Sequence, residues 1–259
     1  MKNMFLIACL CSLGFAARSQ ELTQYEKQTF VTSTDSMPYR LLLPKDFNPK
    51  KKYPLVFVLH GAGERGRDNQ KQLVHGGKLF LKEEIRNEFP AIVVFPQCPQ
   101  DSYWSNVSIT TDKDNKRTFN FRPDGEPTKA MTLAQGLLEQ LIKTYRVKKK
   151  QVYIAGLSMG GMGTFEMVRR NPKLFAAAVP ICGGADPATA SKLVKTDWWI
   201  FHGAKDNVVP ADFSIKMDSA LSKEKASVKL TIYPEAMHDS WTNTFAEPGL
   251  LPWLFAQRK

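Results

Sequence analysis

Six short apolar runs constrain the fold of this chain more than any other feature. They are "YPLVFVLH" (53–60), "PAIVVFP" (90–96), "QVYIAGL" (151–157), "AAAVPIC" (176–182), "DWWIFHG" (197–203) and "SVKLTIY" (227–233). A strand with one wet face alternates apolar and polar residues, so an unbroken run requires cover on both faces. Helical stretches lie between most of the runs: "LVHGGKLFLKEEIRNE" (73–88), "TKAMTLAQGLLEQLIKTYR" (128–146), "GMGTFEMVRRNP" (161–172) and "FSIKMDSALSKE" (213–224). Strands alternating with helices predict a mostly parallel sheet with helices on both faces. Ahead of it, "KQTFVTST" and "MPYRLLLP" are β-rich and separated by Asp35 and Ser36, which predicts an antiparallel N-terminal hairpin.

An antiparallel hairpin feeding parallel strands narrows this α/β architecture to a single-domain α/β-hydrolase sheet, in which functional groups gather at the carboxyl ends of the strands. The chain has 259 residues, 43% of them hydrophobic, enough for one sizeable core. No Ser/Gly or Pro tract marks a linker, and no internal repeat is found.

Residues 1–19 read as a secretory signal, with Lys2, the apolar "MFLIACLCSLGFAA" and a small-residue cleavage pattern ending at Ser19. The catalytic domain is then expected over 20–259, secreted or periplasmic. "LIAC" also resembles the box before a lipid-modified cysteine at Cys9, but the apolar core ahead of it is short, so ordinary cleavage is the expectation. No other run is long enough for a transmembrane segment.

Loss of Lys2 and Arg18 with the signal takes the 36 basic residues to 34 against 25 acidic, a net +9 in place of +11. A nucleic-acid protein would gather that charge on one element. Here it sits in "KKK" at 50–52 and at 148–150, each just before a strand, where solvated turns are the plain expectation and acidic polymers or anionic surfaces the sharper one. Cys98 and Cys182 remain after cleavage, and an exported protein allows a bridge between them that sequence alone does not decide.

At the joint between "QVYIA" and the helical stretch that follows, Gly156 and Gly160 flank Ser158 in a G-x-S-x-G pattern. Composition alone produces this pattern in roughly one such chain in ten. Its place between strand and helix is what marks Ser158 as a nucleophile on a tight turn rather than a helix cap. A serine hydroxyl needs a base. His60 and His202 each end an apolar run and suit turn-holding, and His75 suits a surface or packing role. His238, in the loop after the last strand, is the candidate base. The acid is expected one strand earlier, where Asp206 in "FHGAKDNVVP" orients the imidazole. Asp212 begins the next helix, Asp197 precedes its strand, and Asp239 adjoins the histidine too closely. For the oxyanion hole, the donors are the backbone N–H of Met159 and one from "LHGAGERG", Ala62 first and Gly63 second. Glu64 and Arg65 either hold that loop or, for Glu64, touch substrate. Trp104 and Trp241 either line the cleft, where an aromatic face suits a sugar or phenolic ring, or pack in the core. The polar stretch 106–128 has little sign of a core and reads as a lid or rim.

"LHGAGERG", "FPQCPQDSYWS", "GLSMGGMGTF", "FHGAKDNVVP" and "MHDSW" together resemble a group of secreted bacterial α/β-hydrolases. The group spans predicted peptidases, phospholipase/carboxylesterase-like proteins and carbohydrate esterases of the feruloyl and acetyl-xylan type. The resemblance runs from about residue 40 to the end. It implies a serine hydrolase with no metal or organic cofactor, with Ser158 as nucleophile, Asp206 as acid, His238 as base and "HGAG" as oxyanion loop. That loop is not the lipase-type HGGG, a departure that weakens any transfer from long-chain lipases.

The expected activity is carboxylic-ester hydrolysis through an acyl-enzyme, on small-molecule or polysaccharide-linked esters such as acetyl and feruloyl groups, with no nucleic-acid partner. A prolyl-oligopeptidase-type serine peptidase and a polyester or lipid esterase are the alternatives. A catalytically dead binding protein would show a lost triad position, and all three positions are filled.

Overall fold

The computed structural model describes residues 22–114 and 117–259. The signal at 1–19 and Cys9 lie outside the described residues. In chain order the strands and helices are β1 (Glu26–Val31), β2 (Ser36–Leu42), β3 (Tyr53–Leu59), α1 (Glu83–Glu88), β4 (Ile92–Pro96), β5 (Val107–Thr111), β6 (Arg117–Phe121) and α2 (Lys129–Thr144). Then follow β7 (Val147–Leu157), α3 (Met159–Arg170), β8 (Ala177–Ile181), β9 (Asp197–Gly203), α4 (Asp212–Lys223), β10 (Val228–Tyr233), α5 (Trp241–Ala246) and α6 (Leu250–Ala256). Eight strands form one sheet in the order β1-β2-β4-β3-β7-β8-β9-β10. β1–β2 and β2–β4 are antiparallel, and every pair from β4–β3 to β9–β10 is parallel. This is the α/β-hydrolase architecture expected from the runs.

The runs are unbroken because successive side chains enter two different cores. Along β3, Leu55, Phe57 and Leu59 join one cluster with α2 and Phe165, while Val56 and Val58 join the other with Phe80, Leu250 and Leu254. The Trp198-Trp199 doublet divides the same way: Trp198 stacks on Phe165 with centroids 5.0 Å apart, and Trp199 meets Trp253 edge-on at 5.3 Å. On α2 the buried stripe is Ala130, Met131, Leu133, Ala134, Leu137, Leu138 and Leu141. Thr128 caps its start by accepting from the Met131 N–H at 3.1 Å, a contact worth about 1 kcal/mol.

Three expectations need correction. The stretch 73–88 is not one helix: 3-10 turns at Lys71–Leu73 and Leu79–Leu81 precede the short α1. Gly76 interrupts it with φ +83°, and a Cβ there would lie 2.8 Å from the Phe245 ring. The second lysine triplet is not a turn before its strand. The register of β3 on β7 jumps from Tyr53↔Val147 to Leu55↔Val152, which throws Lys148, Lys149 and Lys150 into an exposed bulge of β7. The polar stretch 106–128 does hold structure, the hairpin β5–β6, with a small core of its own. Phe119 is buried with Met162 and Val209, and its ring lies 5.4 Å from that of Phe213.

Candidate active site

Ser158 sits between β7 and α3 at φ 53°, ψ −116°, a conformation that costs of order 1–3 kcal/mol for a residue with a side chain. The surroundings hold it there. Its N–H donates to the Ile181 carbonyl at 2.8 Å, and strand and helix cross so closely that a Cβ on Gly156 would stand 2.2 Å from the Gly160 oxygen. A Cβ on Gly160 would in turn meet the Leu59 oxygen at 2.1 Å. The two glycines of the pattern are therefore spacers between β3, β7 and α3.

The structure brings Ser158, His238 and Asp206 together. Ser158 Oγ lies 2.9 Å from His238 Nε2, and His238 Nδ1 lies 2.7 Å from Asp206 Oδ2. Asp206 is buried, and its Oδ1 accepts from the Val208 and Val209 N–H groups, each at 2.9 Å. Burial pushes the Asp206 carboxyl up, but the bonds from His202, His238 and the Val209 backbone outweigh it and hold the group well below the usual carboxylate range. Asp212, Asp197 and Asp239 make no contact with His238 of this kind.

Sequence reasoning missed one member of this network. His202 does hold its turn, with Nδ1 2.7 Å from Ser214 Oγ and Nε2 2.8 Å from the Val209 carbonyl. But Nε2 is also 3.2 Å from Asp206 Oδ2. Facing two acceptors, Nε2 carries a proton and donates, so Asp206 is gripped by two histidines. The i,i+4 spacing of His202 and Asp206 around the end of β9 was the available signal.

The two oxyanion candidates each open a helical turn. Met159 opens α3 and Ala62 opens a 3-10 turn over Ala62–Glu64, positions whose N–H groups have no carbonyl within their own helix to pair with. His60 anchors the start of that loop. Its Nε2 accepts from the Cys98 N–H at 2.9 Å, so Nδ1 carries the proton and donates to the Gly61 carbonyl at 2.6 Å. Burial drives the His60 pKa down to about 4, which keeps the ring neutral.

Trp104 does not line the cleft. It is completely buried, donates its indole N–H to the His60 carbonyl at 3.1 Å and packs 5.3 Å from the His60 ring. Room for it exists because Gly163 has no side chain: a Cβ there would fall 2.4 Å from that of Trp104. Trp104 thus holds the start of the 60–64 loop from behind. Trp241 is half-buried at the rim, with its ring 5.4 Å from His238 and 4.9 Å from His75. Glu64 does not pair with Arg65. Its Oε1 is 3.7 Å from His75 Nε2, while Arg65 donates to the Ala62, Gln100 and Ser102 carbonyls.

Cys98 and Cys182 are both buried free thiols, so no bridge joins them. Cys182, Asp206 and His238 offer ligand atoms within 4.8 Å of one another. Asp206 and His238 spend theirs on each other, and burial raises the Cys182 pKa so that its thiol stays protonated. The trio is ill suited to a resident metal.

A parallel sheet with an antiparallel start, helices on both faces and a serine, histidine and aspartate meeting at the strand ends defines an α/β-hydrolase. A family model described as "Putative esterase" matches residues 32–247, and the chain belongs to this esterase family. In structure it is similar to a thermostable esterase, with TM-score 0.82 and 33% identity over 93% of this chain and 64% of that one. A ferulic acid esterase of Anaeromyces mucronatus, solved with ferulic acid, shares the fold at TM-score 0.65 and 16% identity, covering 90% of each chain. A bifunctional acetylxylan esterase/xylanase of Neocallimastix patriciarum is 32% identical over 87 residues. That match takes in 33% of this chain and 13% of that protein.

Proposed function

We propose that the protein is an exported serine carboxylic-ester hydrolase that works through an acyl-enzyme on acetyl or feruloyl esters of plant polysaccharides. The observation that carries this reading is the continuous path from Ser158 Oγ through His238 to the buried, ionised Asp206. His238 Nε2 takes the hydroxyl proton as Oγ attacks the ester carbonyl, and Asp206 stabilises the imidazolium that results. The N–H groups of Met159 and Ala62 receive the oxyanion. Collapse expels the alcohol, which His238 protonates, and a water activated by the same nitrogen releases the acid. Trp241 and Glu64 bound the site where the leaving group departs. Residues 1–19 direct export and 20–259 form the catalytic domain. The acyl groups named for the related esterases support the choice of substrate.

Hydrolysis of methyl ferulate, 4-nitrophenyl acetate and acetylated xylan, measured beside Ser158→Ala, tests the reading. Ferulate or xylan turnover that vanishes in the variant is the expected result. Turnover of nitrophenyl acetate alone removes the polysaccharide assignment, and inertness towards all three esters with cleavage of a peptide anilide replaces the esterase by a peptidase.

A further inference from the structure

The end of the sheet remote from Ser158 carries a second feature that the chemistry above leaves unused. A groove of about 500 Å³ opens there beside the first residues of β7. Its walls are Lys52, Arg146, Lys148, Lys149, Lys150 and Arg258, all exposed. Its floor includes Ile142 and the half-buried ring of Tyr145. Among the described residues, none of these six cations forms an ion pair, although acidic residues elsewhere neutralise Lys45, Lys71, Lys129 and Lys205.

The fold imposes this concentration of charge. Val147 pairs with Tyr53, so Lys52 and the bulge at 148–150 are brought to one end of the sheet. The last residues of the chain close the same end, where the Lys259 N–H donates to the Lys150 carbonyl at 3.1 Å. Six like charges repel one another, and among the described residues no carboxylate pairs with them. A polyanion does so by complementarity.

We infer that this groove binds an acidic polysaccharide, a glycan bearing uronate carboxylates, through the lysines of the β7 bulge and their neighbours. Three observations select a glycan over a membrane. The site is a shallow groove of about 500 Å³, open enough to admit a chain from solvent. An apolar floor with an aromatic ring between cations suits the faces of sugar rings, with carboxylates reaching the walls. The exposed large apolar side chains that would wedge into lipid lie elsewhere, at Val31, Val74, Ile109, Ile215 and Met237. The groove is the length of β7 away from Ser158, roughly 30 Å at about 3.3 Å per residue. It therefore tethers polymer without contacting the ester, raising the local concentration of ester groups at the other end. Binding here does not require hydrolysis, so it stands or falls separately from the proposed reaction.

Affinity electrophoresis and calorimetry with polygalacturonate, neutral arabinoxylan and phosphatidylglycerol vesicles test it, using the full chain. Wild type and Ser158→Ala are expected to bind polygalacturonate equally, and binding is expected to weaken as salt rises from about 0.05 to about 0.5 M. The triple substitution Lys148→Gln, Lys149→Gln, Lys150→Gln is expected to lose about tenfold in affinity, the product of three factors of about two for exposed charge pairs. Its hydrolysis of 4-nitrophenyl acetate should be unchanged. The corresponding Lys→Arg triple keeps binding and guards against a folding artefact. Equal binding to arabinoxylan, binding to vesicles alone, or full binding by the glutamine triple overturns the inference.

Discussion

The two ends of β7 use opposite means to break a strand. At its carboxyl end the chain turns within one residue at Ser158, strained and wedged between glycines that leave no room for a side chain. At its amino end the ladder loosens into a bulge, and three exposed lysines form no ion pair among the described residues. Crowding preserves a geometry that the isolated chain would abandon, whereas looseness preserves a charge density that a packed site would neutralise. Chemistry that depends on tenths of an ångström belongs at the first end. Recognition that depends on field and contour belongs at the second.

Substitutions at each end sharpen the contrast. The largest effect is expected at Ser158→Ala, where ester turnover falls by about 10⁴ or more while the thermal transition barely moves. Gly160→Ala comes next. Its new methyl group must displace the Leu59 carbonyl, and chemical denaturation should show a loss of about 3 kcal/mol. Acid acts on the crowded end through His60. The unfolded chain takes up a proton near the ordinary histidine pKa, but the folded ring resists until about 4. The stabilisation is complete above about pH 6.5 and falls by about 3 kcal/mol as pH drops to about 4. Denaturation midpoints across that range check this, and His60→Gln should flatten the slope.

A smaller effect is expected at His202→Gln. With one of its donors lost, the Asp206 carboxyl should titrate closer to the usual carboxylate range, visible by carbon NMR, and kcat should fall about tenfold with KM little changed. Smallest of all, the triple lysine-to-glutamine change should shift stability by no more than about 0.5 kcal/mol, since all three side chains are exposed. A larger loss would show that the bulge is held by its charges after all.

How much of this was legible in the sequence depends on the range of the contacts concerned. The sheet could be read because each strand's two faces leave their mark in its own few residues. The approach of Ser158, Asp206 and His238 was readable because all three follow strands in a parallel sheet, whose carboxyl ends converge. Trp104 was not. An indole after a strand in a polar loop looks the same whether it faces a cleft or a core, and the hole that receives it is a missing side chain at Gly163, 59 residues away in the sequence. The bulge at 148–150 was equally hidden, because register is a property of two strands and β3 and β7 are distant in sequence. The helix expected over 73–88 failed for a local reason: its apolar spacing was sound, but Gly76 and Gly77 interrupt it.

Cys98 and Cys182 turn the closed end of the sheet into its own clock. Cys98 receives the 60–66 loop, its N–H bonded to His60 and its carbonyl accepting from the Gly66 N–H, and Cys182 lies beneath Asp206 and His238. Neither sulfur meets solvent in the folded state. A thiol-alkylating reagent can reach them only when those segments open, so the two modification rates time the breathing of the two halves of the site. Equal rates would mean that the site opens in a single motion, and unequal rates would identify the half that moves first.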